Sequence, residues 1–407
     1  MKFIHYGCWN NIDCSKAYSY RDIIIDYIKS YETYYDYVII SGDNWYSNEK
    51  DEVKQYYTNV LRSGLIKLYG LNKPIHIVLG NHDEATNDNV DEVNELQKDC
   101  MLKTEKYYIK HIHDESLLPT LEYLYTQDLT IQEESRLKLY EAESQPGEWY
   151  DEVNKILHIF LNTNIFTDTH KQIDVIKYIN HIPNIVRKYP VPNHLFITGH
   201  VPITSKFHKV KKDKIVEYTS LSNNMSIMKH ILDVFISLNP IPIYLCTDTH
   251  NFQIMSIRHG NKYITQIVVG TGGAEPDDLK AYIINNRIQY VYNITPDSSY
   301  YIEGFYNNSY GYTTLEINDN LVKVVYKHIL GIDDRIVNQA YEYLIKDNGQ
   351  IDALPQSKLS PDISELMKQM SNSKYIKEGI CANLHTDNLV KSANNPDIFC
   401  YKKIKNK

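Results

Sequence analysis

The chain is poor in cysteine. Its six cysteines, Cys8, Cys14, Cys100, Cys246, Cys381 and Cys400, are widely separated and include no Cys-x-x-Cys pair. That spacing excludes a disulfide scaffold and leads us to expect reduced thiols in a cytosol-like, intracellular compartment. No run of about 18 apolar residues occurs, which excludes a membrane-spanning helix. The N-terminal MKFIHYGCWNN carries one lysine and only a short apolar stretch, the pattern of a buried strand and not of a signal peptide. A continuous basic run is also missing: the lysines are scattered through a chain of net charge −8. An obligatory nucleic-acid partner is therefore not expected, although a local cationic site for a small phosphate ester is compatible with this distribution. There is no internal repeat and no low-complexity linker.

What is present is an ordinary globular composition. Of 407 residues, 43% are hydrophobic and 23% charged, enough apolar material for a large core. The length favours one large α/β domain with appendages over two domains. Tyrosine (36, against 9 phenylalanines) is abundant together with Ile, Asn and Lys, a bias expected of an AT-rich genome such as that of a parasite or a large DNA virus. A viral origin would add the virion to the expected locations.

The apolar pattern alternates between two periods. Residues 2–7, 36–40 (DYVII), 74–79 (PIHIVL), 156–161 (ILHIFL), 194–198 (HLFIT), 242–246 (PIYLC) and 263–269 read as buried strands. Between them, Ala17, Tyr20, Ile24, Tyr27, Ile28 and Tyr31 recur at helical spacing, as do Val53, Tyr57, Val60, Leu61, Leu65 and Leu68. Segments 172–186 and 225–238 also read as helices. Such alternation predicts parallel β-α-β construction. Residues 312–317 and 322–326, around the turn NDN, predict an antiparallel hairpin. The pattern loosens between about 84 and 150, read as an insertion, and residues 331–407 are expected to form a polar, helical C-terminal extension beyond a main domain of 1–330, with a helix start at Ser360-Pro361.

The unusual polar residues all follow predicted strands, where ligands bind in open α/β sheets. Cys8 follows the first strand, Asp43 and Tyr46 the second, Asn81 and His82 the third, His200 a later one, and Asp248 and His250 another. A carboxylate that bridges two cations, with imidazoles and an amide oxygen around it, suits hydrolysis at a two-metal centre, and Asp43 is the natural bridge. Bland alternatives stand beside each assignment. Cys8 could be a small core residue, Asp43 a helix cap, Tyr46 ordinary packing, Asn81 a turn residue, and Asp248 a carboxylate that orients His250.

At these residues the sequence resembles the purple (tartrate-resistant) acid phosphatases of the calcineurin-like metallophosphoesterases. FIHYGCWNN is similar to their GDWG motif, SGDNWY to GDN-aromatic-Tyr, VLGNHD to GNHD, ITGHVP to GHYP, and YLCTDTHNFQ to YLCGHDHN, all in order over residues 2–330. The resemblance implies a four-layer αββα sandwich and two divalent or trivalent ions of iron, zinc or manganese, or one ion if an altered position fails. It places a first site at Cys8, Asp43, Tyr46 and His250 and a second at Asp43, Asn81, His200 and Asp248. Cys8 stands where the family has aspartate, and Asp248 where it has histidine. The same likeness gives His82, oriented by Asp83, the protonation of the leaving group, and gives His208 a substrate contact. The implied activity is hydrolysis of phosphomonoesters by metal-bound hydroxide. A phosphodiesterase, and a degraded pseudophosphatase serving as a binding or virion structural protein, are the alternatives. Substrate and oligomeric state are not implied.

Overall fold

The computed structural model describes residues 1–12, 19–46, 54–83, 95–112, 135–141, 144–166, 172–211, 214–219, 224–277, 287–295, 298–318, 321–331 and 336–358. Four short apolar segments, β1 (Lys2–Tyr6), β2 (Tyr37–Ser41), β3 (Ile75–Val78) and β4 (Leu137–Tyr140), lie side by side and parallel. Beyond β1 the sheet continues antiparallel through β15 (Tyr310–Asn318), β16 (Leu321–Leu330), β17 (Ile336–Ile345) and β18 (Ile351–Ala353), with β19 (Ser357–Lys358) also on β17. The second sheet has a parallel centre of β6 (Ile156–Phe160), β7 (His194–Thr198), β10 (Ile243–Cys246) and β12 (Lys262–Val269). Its edges are β5 (Gly147–Asp151) on one side and β11 (Phe252–His259), β14 (Ser298–Asn307) and β13 (Arg287–Thr295) on the other. A separate ribbon pairs β8 (Lys206–Lys211) with β9 (Lys214–Thr219).

Strands β2, β3 and β6 are buried at every position, as parallel strands covered on both faces must be. One cover of the first sheet is helical. The apolar faces of α1 (Tyr20–Tyr31) and α2 (Lys54–Tyr69), through Ile24, Tyr27, Leu61 and Leu65, join α3 (Glu95–Lys110) in a core that continues between the sheets to Phe196, Leu245 and Phe252. A second core packs the far face of the other sheet against α4 (Gln172–Asn180), α5 (Ile182–Lys188) and α6 (Met225–Ser237). The layers are therefore helix, sheet, sheet, helix, the expected αββα sandwich. Among the described residues no helix is long and apolar enough to cross a membrane.

Several details depart from the sequence reading. The single helix expected over 172–186 is divided, because Pro183 lacks the N–H that would continue it and a new helix begins at Ile182. The helical reading of the segment after 331 is corrected: IVNQAYEYLI forms β17, with Tyr343 and Ile345 buried at the strand period of two. The helix start at Ser360-Pro361 lies outside the described residues. Within 84–150, where strand signals were weak, β4 and β5 each extend a sheet edge.

Between the sheets lies a ladder of rings. His76 stacks on Trp149 at 4.5 Å between ring centroids, and Trp149 stacks on His158 at 5.1 Å. His158 Nε2 meets the Tyr37 hydroxyl at 2.8 Å and His76 Nδ1 the Tyr140 hydroxyl at 3.0 Å. Burial disfavours the imidazolium, so the pKa of His76 falls to about 3 and that of His158 lies well below its ordinary value. The unfolded chain binds protons on both near pH 6.5 and the folded chain does not, so stability is complete above that pH and is lost as pH falls. Each histidine should remove about 1.4 kcal/mol per pH unit below roughly 6.5. Urea unfolding at pH 7.5, 6 and 5 should show this decline, and a flat profile would contradict the buried neutral imidazoles.

Candidate metal centre

Cys8, Asp43, Asn81, His82, His200, Asp248 and His250 all stand just beyond the carboxyl ends of parallel strands, drawn from both sheets. The backbone is strained at three of them. Cys8, Asp43 and Asp248 have φ of 48°, 53° and 48°, a left-handed conformation that non-glycine residues rarely hold unless the surroundings enforce it. Two glycines make room. A Cβ on Gly80 would stand 2.2 Å from Asp43 N and Oδ1, and one on Gly42 would stand 2.6 Å from His200 Nδ1.

Asp43 is 1% exposed and its two oxygens face different groups. Oδ2 accepts from the Cys8 thiol at 3.7 Å. Ligand atoms of Cys8, Asp43 and His250 lie within 4.8 Å of one another, and Tyr46 Oη is buried beside Cys8 and Asp43 without a well-formed hydrogen bond to either. Oδ1 faces His200 Nε2 at 3.2 Å and accepts from His82 N at 3.2 Å. His200 Nε2 also meets Asn81 Oδ1 at 3.0 Å and Asp248 Oδ1 at 3.6 Å. The seven expected ligand positions therefore converge as two donor groups sharing one carboxylate.

The electrostatics ask for a cation. Burial by itself would weaken the charge on His200, but Asp43 and Asp248 override it and push its pKa up to about 9. Burial would likewise raise the Asp43 carboxyl, yet His200, His82 and His250 hold it well below the usual carboxylate range. Burial, then Asp43 and Asp248, push the Cys8 thiol up, and burial, then Asp43 and Cys8, push the Tyr46 phenol up. A positive ion at each donor group would replace these protons, and the orphaned phenol together with three oxygens around one imidazole nitrogen fits metal ions.

Outer partners fix the imidazoles. His250 Nδ1 donates to the Glu275 carbonyl at 2.9 Å, leaving Nε2 with its lone pair. His200 Nδ1 lies 2.8 Å from the Ser41 carbonyl and 2.9 Å from the Thr247 hydroxyl, and that hydroxyl donates to the same carbonyl. Thr163 Oγ1 accepts from the backbone N–H groups of His200 and Val201. Asp248 Oδ1 stands beside His200, and the His250 ring donates to the Glu275 carbonyl.

Asp83 does not orient His82. Its carboxylate accepts from Gly80 N, Asn44 N, Trp45 N and Asn44 Nδ2 at 2.7–3.0 Å, so it fastens the β2 loop to the β3 loop. Asn44 extends the fastening to the β1 loop, accepting from Trp9 Nε1 and Asn10 Nδ2. His82 packs its ring 4.6 Å from Tyr46 at the edge of the centre. His208 lies on β8 in register with Glu217, on the ribbon and not on a strand-end loop. Sequence reading gave no role to Asn44, Thr163, Thr247 or Glu275. Asn44 and Thr247 lie inside the motifs themselves, but their partners are distant in the chain.

No protein-family model matches the chain, and no curated protein matches it. Solved structures do. A structure of PhoD aligns over 96% of this chain and 78% of its own, with a TM-score of 0.51 and 10% identity. A Vps29 single mutant from Entamoeba histolytica aligns over 88% of this chain and 100% of its own, at 11% identity and a TM-score of 0.27 too low to add weight. At such identity the PhoD likeness speaks for fold alone. Two facing mixed sheets with helices outside make an αββα sandwich, the architecture of the calcineurin-like metallophosphoesterase fold.

Thr247→Val keeps the shape but removes the hydroxyl that meets His200 Nδ1 and donates to the Ser41 carbonyl beside it. Metal affinity should fall about 10–100-fold, as for other outer partners of ligating histidine, and Thr247→Ser should restore it. Calorimetric titration of the metal-stripped variants checks this; equal affinity in the valine variant would remove Thr247 from the support of His200.

Proposed function

We propose that the protein is a metal-dependent phosphoric ester hydrolase acting on small phosphomonoesters. The observation that carries this reading is the division of labour on Asp43, with one oxygen toward Cys8 and the other toward His200. Asp43, Cys8, Tyr46 and His250 would hold one ion, and Asp43, Asn81, His200 and Asp248 the other. Bound there, such ions supply a water-derived nucleophile at neutral pH and neutralise phosphoryl oxygens. The chain's own contribution is to fix those donors and exclude competing conformations through Asp83, Asn44 and Thr247.

His82 is the group we assign to the leaving-group proton. It holds Asp43 through its backbone N–H, which leaves the ring free of ligation duty and placed beside Tyr46. The narrower kinship with purple acid phosphatases rests on the motif order. The alternative of a catalytically degraded binding protein draws on the replaced residues at 8 and 248, but both still present donor atoms to the centre, which favours the hydrolase.

The test is hydrolysis of p-nitrophenyl phosphate and an alkyl phosphate, with a bis-aryl phosphodiester as the competing substrate, by metal-loaded protein. Asp43→Ala should abolish both metal retention and turnover. His82→Ala should retain its metal and lose roughly 10²–10⁴-fold in turnover, more for the alkyl than for the nitrophenyl ester. Equal losses on the two esters would take the proton transfer away from His82, and an inactive wild type with full metal content would favour the binding-protein reading.

A further inference from the structure

The two donor groups around Asp43 differ in chemical hardness, and the residues that make the difference are the two that depart from the purple acid phosphatase pattern. On the Oδ2 side stand a thiol, a phenol and an imidazole: Cys8 Sγ at 3.7 Å, Tyr46 Oη without a well-formed hydrogen bond, and His250 within the 4.8 Å group. On the Oδ1 side, three oxygens from Asp43, Asn81 and Asp248 surround the single nitrogen of His200 at 3.2, 3.0 and 3.6 Å. Sulfur has entered one side and a carboxylate the other.

Both replaced residues are presented from left-handed backbone, φ 48° in each case. A side chain that merely fills a core gap gains nothing from that conformation. At strand ends, by contrast, it turns the chain so that a short side chain faces the shared carboxylate. The thiol is fully buried, whereas the Asp248 side chain is 34% exposed. The buried thiol offers a soft ligand with little competition from water, and the partly exposed Asp248 offers an oxygen that hard cations accept alongside retained water.

We propose that the centre has unlike halves: the Cys8 half takes a thiophilic divalent ion of the zinc class, and the His200 half takes an oxygen-preferring ion of the manganese class. Thiolate and imidazole select zinc, while carboxylate and amide oxygens suit manganese. This rests on the two-ion reading of the site and adds which ion occupies which half. The shared Asp43 carboxylate then joins a sulfur-bound ion to an oxygen-bound one.

Three measurements on full-length, metal-stripped protein decide it. After one equivalent of Zn²⁺ and then excess Mn²⁺, elemental analysis of the desalted protein should find one of each. The first equivalent of Co²⁺ should give sulfur-to-cobalt charge-transfer absorption, and prior addition of one equivalent of Zn²⁺ should abolish it. Cys8→Ser should lose the absorption and reduce the preference for zinc over manganese by at least the roughly 10–100-fold that even an outer ligand partner is worth. Cys8→Asp keeps a ligand at the position, so if the serine variant misfolds by near-ultraviolet circular dichroism, the aspartate variant carries the test, with the same loss of absorption. Asp248→His should raise zinc uptake to two ions. A protein that binds two ions with no sulfur-to-cobalt band, or whose Cys8 variants sort zinc and manganese unchanged, overturns the inference and leaves the hydrolase reading standing. A protein that binds neither ion overturns both.

Discussion

A carboxylate with 1% exposure cannot sit in a protein interior uncompensated, and Asp43 is such a carboxylate. Its neighbours are organised to meet that demand. His200 arrives from the second sheet, His82 lends its backbone N–H from the β3 loop, and Cys8 points its thiol from the β1 loop. Removing any one of these leaves the charge less compensated, and no single element supplies them all. The centre therefore exists only where the carboxyl ends of β1, β2 and β3 face those of β7 and β10. The dependence also runs the other way: the strand-end loops owe their shapes to the charge they surround.

That placement requires two sheets docked in one register. The ring ladder of His76, Trp149 and His158, continued by Tyr37, Phe3 and Phe196, sets how the sheets face each other. Offset aromatic packing has preferred separations, so it resists sliding more than aliphatic packing does. At the C-terminal end of α1, Glu32 ties the helix to the first sheet through Lys2, Lys327 and the Tyr312 hydroxyl. Near the centre, the buried Asp83 and Asn44 join three loops by hydrogen bonds to main-chain and side-chain groups. The left-handed backbone at Cys8 and Asp43 lies within the loops that this network joins, which is the kind of surrounding constraint such conformations need.

The central strands were legible because parallel strands buried on both faces are written as nearly continuous apolar runs, as in DYVII and PIYLC. Antiparallel strands with one wet face were harder. IVNQAYEYLI in β17 mixes polar and apolar residues closely enough to pass for a helix, and in β13 and β14 polar residues flank the short apolar runs YVY and YYI. Pro183 announced a break that the helical period concealed.

For the centre, the sequence by itself determined which residue types stand at the strand ends, because each motif is local: a strand, a turn, then the polar group. It could not determine that Asp43 divides its oxygens between Cys8 and His200, residues 35 and 157 positions away in the chain, nor that Asp83 serves the loops while Glu275 accepts from His250. Those facts depend on side-chain direction across the gap between two sheets. Direction there is decided by left-handed backbone at three residues and by partners contributed from distant strands, which come together only once the sheets have docked.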